Sequence, residues 1–158
     1  MPATSAGLLL YRLTARGVEV FLVHPGGPYW SRKDLGAWSI PKGETSPGED
    51  PLVAARREFA EETGRAIEGP ALSLGDVRQA GGKRVHAWAV RGDLDPERIR
   101  SNTFDLEWPP RSGVVRAFPE VDRAAWFPID EARRRLLPSQ APFLDRLLDA
   151  VGEPSDRP

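Results

Sequence analysis

The chain has 158 residues, 22 of them basic and 23 acidic, for a formal charge of -1. That is the length of one ordinary domain, with no basic excess to draw it to nucleic acid or a membrane surface. It has no cysteine, which excludes a disulfide framework, a thiolate zinc site and a cysteine nucleophile.

The first residues, Met-Pro-Ala-Thr-Ser-Ala-Gly, lack the basic start of a secretory signal, and the longest apolar runs are only a few residues. The expected address is therefore cytoplasmic, with no membrane partner. Residues 6–11 and 18–23 are short apolar runs separated by a glycine-bearing turn, which predicts a hairpin. Residues 24–30 carry Pro and Gly and predict a loop. Residues 38–41 predict a short strand and residues 42–50 a loop. Asp50 followed by Pro51 is a helix start, and Gly64 is a stop. The helix is expected from Pro51 to Thr63, with Leu52, Ala55 and Phe59 on its core-facing stripe.

Residues 71–78 and 83–90 predict two strands. In the second, Val85, Ala87 and Ala89 share one face, and His86, Trp88 and Val90 the other. Residues 95–99 predict a helical turn, 101–113 a long loop, and 124–127 a strand. Residues 129–137 and 142–151 predict helices separated by Pro138. One domain is expected over 1–151, with a disordered polar tail over 152–158. Strands, a helix, more strands and final helices imply an α+β fold: a mixed sheet with helices packed on it.

The chemistry is concentrated in Gly43-Glu-Thr-Ser-Pro-Gly-Glu49 and Arg57-Glu-Phe-Ala-Glu-Glu-Thr-Gly64. On a helix, Glu58, Glu61 and Glu62 fall at i, i+3 and i+4, on one face. Like charges at that spacing repel by a few tenths of a kcal/mol per pair, and a hard divalent cation reverses the sign. Mg²⁺ suits such a set, since it takes oxygen ligands and bridges one or two carboxylates to substrate phosphates. Taken alone, Glu-x-x-Glu-Glu would be a solvated acidic helix face with an Arg57–Glu61 pair. It does not stand alone, because Gly-x5-Glu-x7-Arg-Glu-apolar-x-Glu-Glu-x-Gly is matched at every specified position from Gly43 to Gly64.

This segment resembles the Nudix box of the Nudix hydrolases. It departs from the usual box in placing Arg65, not an apolar residue, after the last glycine, and Ile67 is expected to fill that space. The lead-in Trp38-Ser-Ile-Pro-Lys-Gly43 resembles that of dinucleoside-polyphosphate-hydrolysing members. Pro119-Glu-Val-Asp-Arg-Ala-Ala-Trp-Phe127 resembles the strand that closes the family's sheet. The resemblance implies an α/β/α sandwich and an Mg²⁺-dependent pyrophosphohydrolase, with Mn²⁺ as a substitute ion. It implies that Glu58, Glu61 and Glu62 coordinate metal, that Glu49 supports them or binds a second ion, and that Arg57 orients a glutamate. Glu58 and Glu62 are the two candidates for the base.

Elsewhere, Lys42 is a candidate phosphate contact, and Tyr29 and Trp88 are candidate stacking surfaces for a substrate ring. Glu107, Glu120 and Asp122 are candidates for an extra carboxylate, with Glu120 preferred. Trp38 and Trp126 are expected in the core, and His24 and His86 are expected to be packing or surface residues. The substrate implied is a nucleoside diphosphate linked to another moiety, with a nucleoside triphosphate or dinucleoside polyphosphate favoured. The partner is thus a small nucleotide and not a nucleic acid, and the chain a monomer or homodimer. The alternative is a catalytically silent nucleotide-binding or regulatory module of the same fold.

Overall fold

A computed structural model describes residues 4–152. The tail expected over 152–158 lies, apart from Gly152, outside the described residues. The strand β1 (Thr4–Thr14) turns back through Ala15 and Arg16 into β2 (Gly17–Pro25), as the two apolar runs predict. The next strand, β3 (Lys42–Glu44), pairs with the other half of β1, Ser5 opposite Glu44 and Gly7 opposite Lys42. The expectation of a loop from residue 42 is thereby corrected. Lys42 and Gly43 carry no strand signal of their own, and the exposed edge of β1 supplies their hydrogen-bonding partners.

The helix α1 (Pro51–Thr63) has the predicted bounds. Asp50 Oδ2 accepts from the backbone N–H of Leu52 and Val53 at 3.1 and 3.2 Å, and Gly64 closes the helix at φ 76°, where a side chain would be strained. Two antiparallel strands follow, β4 (Ala71–Arg78) and β5 (Arg84–Arg91), then a 3-10 turn at Pro96–Arg98. Residues 101–113, expected as a loop, instead contain β6 (Thr103–Glu107). It pairs antiparallel with β7 (Val115–Pro119) in a separate two-stranded sheet. The prolines and glycine belong to the connection between these strands, whereas Phe104 and Leu106 alternate with polar residues as a half-buried strand requires. The last described elements are β8 (Val121–Pro128), α2 (Ile129–Arg135) and α3 (Pro142–Ala150).

The main sheet runs β4-β5-β1-β2-β8, with β3 beside β1. Its β1–β5 pair is parallel and its other pairs are antiparallel. Side-chain alternation divides the core in two. Leu9, Val20, Leu22, Val85 and Ala87 pack with Leu136, Phe143, Leu144 and Leu147 of the C-terminal segment. On the other face Ala6, Leu8, Leu10, Phe21 and Val90 pack with Ala54, Ala55 and Phe59 of α1. Each large side chain so buried contributes roughly 1.5–3 kcal/mol. The result is the expected α/β/α sandwich. Trp38 is buried, and Trp126 is half-buried edge-on to Phe21. Ile67 packs against the α1 side of the core, as expected of a residue filling the space of the apolar one whose place Arg65 takes.

Candidate active site

Burying the apolar stripe of α1 turns its acidic stripe toward β3. Glu58, Glu61 and Glu62 line one open cavity of about 540 Å³, together with Lys42, Gly43 and Glu120. Gly43 permits this approach, since a Cβ there would lie 2.0 Å from the Glu58 carboxyl carbon. Arg57 organises the carboxylates. Its Nε and Nη2 donate to the two oxygens of Glu49 at 2.8 and 3.0 Å, and its Nη1 donates to Glu58 and Glu61, each at 2.9 Å. Glu49 also accepts from the Ser46 backbone N–H at 2.9 Å. Glu49 is therefore brought to Arg57, beside the cavity and not among its lining residues.

The electrostatics follow from this packing. The Arg57 guanidinium holds Glu49 down at about 2, helped by the Ser46 N–H. Loss of water raises Glu58, against the pull of Arg57 and with the push of Glu61. Desolvation raises Glu62 to about 8, although Lys42 opposes the shift. Burial also lowers Lys42, against the attraction of Glu62. Glu58 and Glu62 are thus carboxylates that burial and neighbouring acids discourage from ionising.

Of the three candidate extra carboxylates, Glu120 alone reaches this cavity. It stands between β7 and β8. Asp122 lies 2.9 Å from His24 Nδ1, and Glu107 accepts from the Gly113 N–H at 2.8 Å. His24 is fully buried, with its Nε2 2.6 Å from the Lys33 carbonyl oxygen, so it ties the loop after β2 to β8. Tyr29 lines a separate slot of about 220 Å³ with Trp30, Phe104 and Leu106. Trp88 is stacked on His86 with ring centroids 4.1 Å apart, and lines neither space. Sequence reasoning singles out neither Asn102 and Lys83, which line the carboxylate cavity, nor Phe104 and Leu106, which line the slot. The alternation at 103–107 was the available signal for the two apolar residues.

Among the described residues, no group of three acidic or histidine side chains stands ready to hold one metal ion. The donor set nevertheless fits a divalent cation that keeps water in its shell. Such an ion needs one or two carboxylates plus substrate oxygens, not a closed protein cage. The cavity offers carboxylates from α1 and from Glu120, and its raised Glu58 and Glu62 are those that a cation would relieve.

The family model of the NUDIX domain matches residues 1–147. An 8-oxo-(d)GTP phosphatase of Mycolicibacterium smegmatis is 34% identical over 126 residues, which is 75% of this chain and 30% of that protein. The chain thus spans under a third of the first curated relatives it matches. An RNA pyrophosphohydrolase of Rhodospirillum rubrum is 29% identical over 156 residues, covering 93% of this chain and 90% of that one. A C. elegans Ap4A hydrolase in a binary complex has the same fold, with TM-score 0.64 and 22% identity over 95% of this chain and 98% of that one. The Nudix domain of Shewanella oneidensis NrtR, complexed with ADP ribose, has TM-score 0.66 and 15% identity over 96% and 89%. With the family model matched along nearly the whole described fold, the chain belongs to the Nudix hydrolases, a family that generally works with divalent metal ions.

Proposed function

We propose that this hydrolase cleaves a phosphoanhydride bond with Mg²⁺, in a nucleoside diphosphate linked to another moiety, with nucleoside triphosphates or dinucleoside polyphosphates favoured. The observation that carries the reading is the single open cavity where Glu58, Glu61, Glu62 and Glu120 meet Lys42. That combination suits a polyphosphate, whose negative charge must be neutralised before water can attack phosphorus. A divalent ion held by those carboxylates supplies charge neutralisation and a more acidic attacking water. Arg57 holds Glu58 and Glu61 in place through charge-assisted hydrogen bonds. Glu62, with an affinity for protons near neutrality, is suited to take the proton of the attacking water, and Glu58 shares that suitability. Lys42 is suited to pair with a phosphate oxygen. The Ap4A hydrolase among the neighbours supports a dinucleoside polyphosphate.

The long match to an RNA pyrophosphohydrolase favours a second reading, in which RNA is the substrate. A silent nucleotide-binding module has no evident use for the intact carboxylate set. One screen separates the readings. The chain is incubated with Mg²⁺ and nucleoside triphosphates, diadenosine polyphosphates, ADP-ribose or 5′-triphosphorylated RNA, and the fragments are identified. Turnover of the small nucleotides is expected to fall about 100-fold or more in Glu61→Gln and in Glu62→Gln, with the fold intact by circular dichroism. Near-normal rates in both variants would remove these residues from the chemistry. Tight binding without fragments from any compound would leave the silent module.

A further inference from the structure

Alternation along β8 is broken at its start. Ala124 and Trp126 pack on the α1 side of the core, and Ala125 and Phe127 on the other, as a regular strand requires. Continued backwards, that pattern would turn Asp122 toward α1 and Val121 away from it. The structure has the reverse. Val121 packs on the α1 side, and Asp122 Oδ1 lies 2.9 Å from Nδ1 of His24, whose ring is edge-on to Trp38 of the opposite side. The cause is a β-bulge. His24 pairs with Arg123 and Pro25 with Val121, so Asp122 is an extra residue with no partner in the ladder.

A one-residue shift of register exchanges the two faces of a strand. Glu120 directly precedes Val121, and both line a space of about 210 Å³ that continues the carboxylate cavity past Lys42 and Glu62. The backbone around Glu120 is tied in that place. Its N–H donates to the Asn102 carbonyl at 2.9 Å, and its carbonyl accepts from the Gly26 N–H at 3.0 Å. The Val121 N–H donates to Ser101 Oγ at 2.9 Å. Asn102 N–H donates in turn to the Glu61 carbonyl at 2.9 Å, so one line of hydrogen bonds joins Glu61 of α1 to Glu120 and on to Gly26. Gly26 has no room for a side chain, since a Cβ there would lie 2.0 Å from the Pro119 carbonyl oxygen.

The bulge itself is held by a side chain. His24 is fully buried, and its Nε2 donates to the Lys33 carbonyl oxygen, which can only accept, at 2.6 Å. The ring is thus fixed at one end and meets the bulged carboxylate at the other. Arg123 Nη1 lies 3.6 Å from the same Asp122 oxygen, on the solvent side.

We propose that His24 is a positioning residue for the reaction: by holding the bulged Asp122, it fixes the register that presents Glu120 to the carboxylate cavity. The inference rests on the metal-dependent phosphoanhydride reading and deepens it, because it names what keeps the one carboxylate from outside α1 in place.

The test combines amide hydrogen exchange with Mg²⁺ calorimetry on the full chain. His24→Phe keeps a ring against Trp38 and removes both polar contacts. Asp122→Ala, at an exposed residue, removes one contact and carries the same expectations if His24→Phe does not fold. The Gly26 and Glu120 amides are expected to exchange about tenfold faster, beyond any change at Ala55 and Phe59 of α1, the scale of one lost hydrogen bond. An equal change at all four amides, or none, overturns the positioning, since a residue that only stabilises the fold would act on all alike. Mg²⁺ affinity is expected to fall about tenfold in Glu120→Gln and by a similar factor in His24→Phe. The double variant is expected to lose no more than Glu120→Gln alone, because His24 acts through Glu120. Full additivity, or an unchanged affinity in His24→Phe where Glu120→Gln weakens it, overturns the inference. If Glu61→Gln, Glu62→Gln and Glu120→Gln all bind Mg²⁺ as the unaltered chain does, the metal reading fails, and the exchange rates alone decide whether His24 positions Glu120.

Discussion

At the scale of single residues, Glu62 and Glu49 show how one small region shifts two carboxylates in opposite directions. Glu49 faces a guanidinium fork and ionises easily; Glu62 faces a desolvated pocket and does so reluctantly. The raised value of Glu62 means that the folded, metal-free chain holds this proton more tightly than the unfolded chain does. Its contribution to stability is therefore complete below the ordinary value of 4.5 and is lost as pH rises through about 8. Glu49 acts in a separate window: its contribution is present above 4.5 and lost as pH falls toward 2. In thermal melts with chelator, stability attributable to Glu62 is expected to decline between pH 5 and 8, and Glu62→Gln to flatten that slope. An identical slope in the variant would show that Glu62 does not titrate there. Under the proposed metal role of Glu62, an ion competes with this proton, and apparent Mg²⁺ affinity is expected to rise across the same range.

At the scale of elements, α1 carries both the core and the site, so its start has consequences at both ends. The Asp50 cap satisfies two backbone donors that the first turn leaves free. Asp50→Ala is expected to cost about 1 kcal/mol, seen as a loss of about 2–4 °C in Tm. An unchanged melting temperature would show that the cap does not stabilise the helix. The bounds of α1 were legible because Asp50, Pro51 and Gly64 each act through local backbone geometry. The strand β6 was not, because the prolines and glycine that follow it dominate any local reading, while its partner β7 lies beyond the connection. Missing β6 also concealed Phe104 and Leu106, and with them the slot. The strand β3 was missed for a related cause, as it exists by virtue of its pairing to β1.

At the scale of the whole molecule, the sheet brings Glu120 to α1 across more than fifty residues of sequence. It does so by placing the β7–β8 junction beside the mouth of the carboxylate cavity. A ligand that binds only where these segments meet stabilises the entire fold. Mg²⁺ at a hundredfold excess over its Kd is expected to add about 2.7 kcal/mol of stability at neutral pH, read as a rise in Tm over the chelated chain. The double variant Glu61→Gln with Glu62→Gln is expected to lose that rise. A rise preserved in the double variant would place the ion elsewhere.

The sequence by itself determined the helix from Pro51 to Thr63, its acidic face and its family, because caps and the 3.6-residue repeat act within a few turns of chain. It also offered Glu120 as the preferred of three extra carboxylates, without the geometry to choose between them. Only the tertiary structure decided that Glu49 serves Arg57, that Asp122 is engaged by His24, and that Phe104 faces the loop after β2. The physical reason is that a carboxylate's role depends on which charges and how much water surround it. Those surroundings come from strands distant in the chain and are not encoded in local spacing.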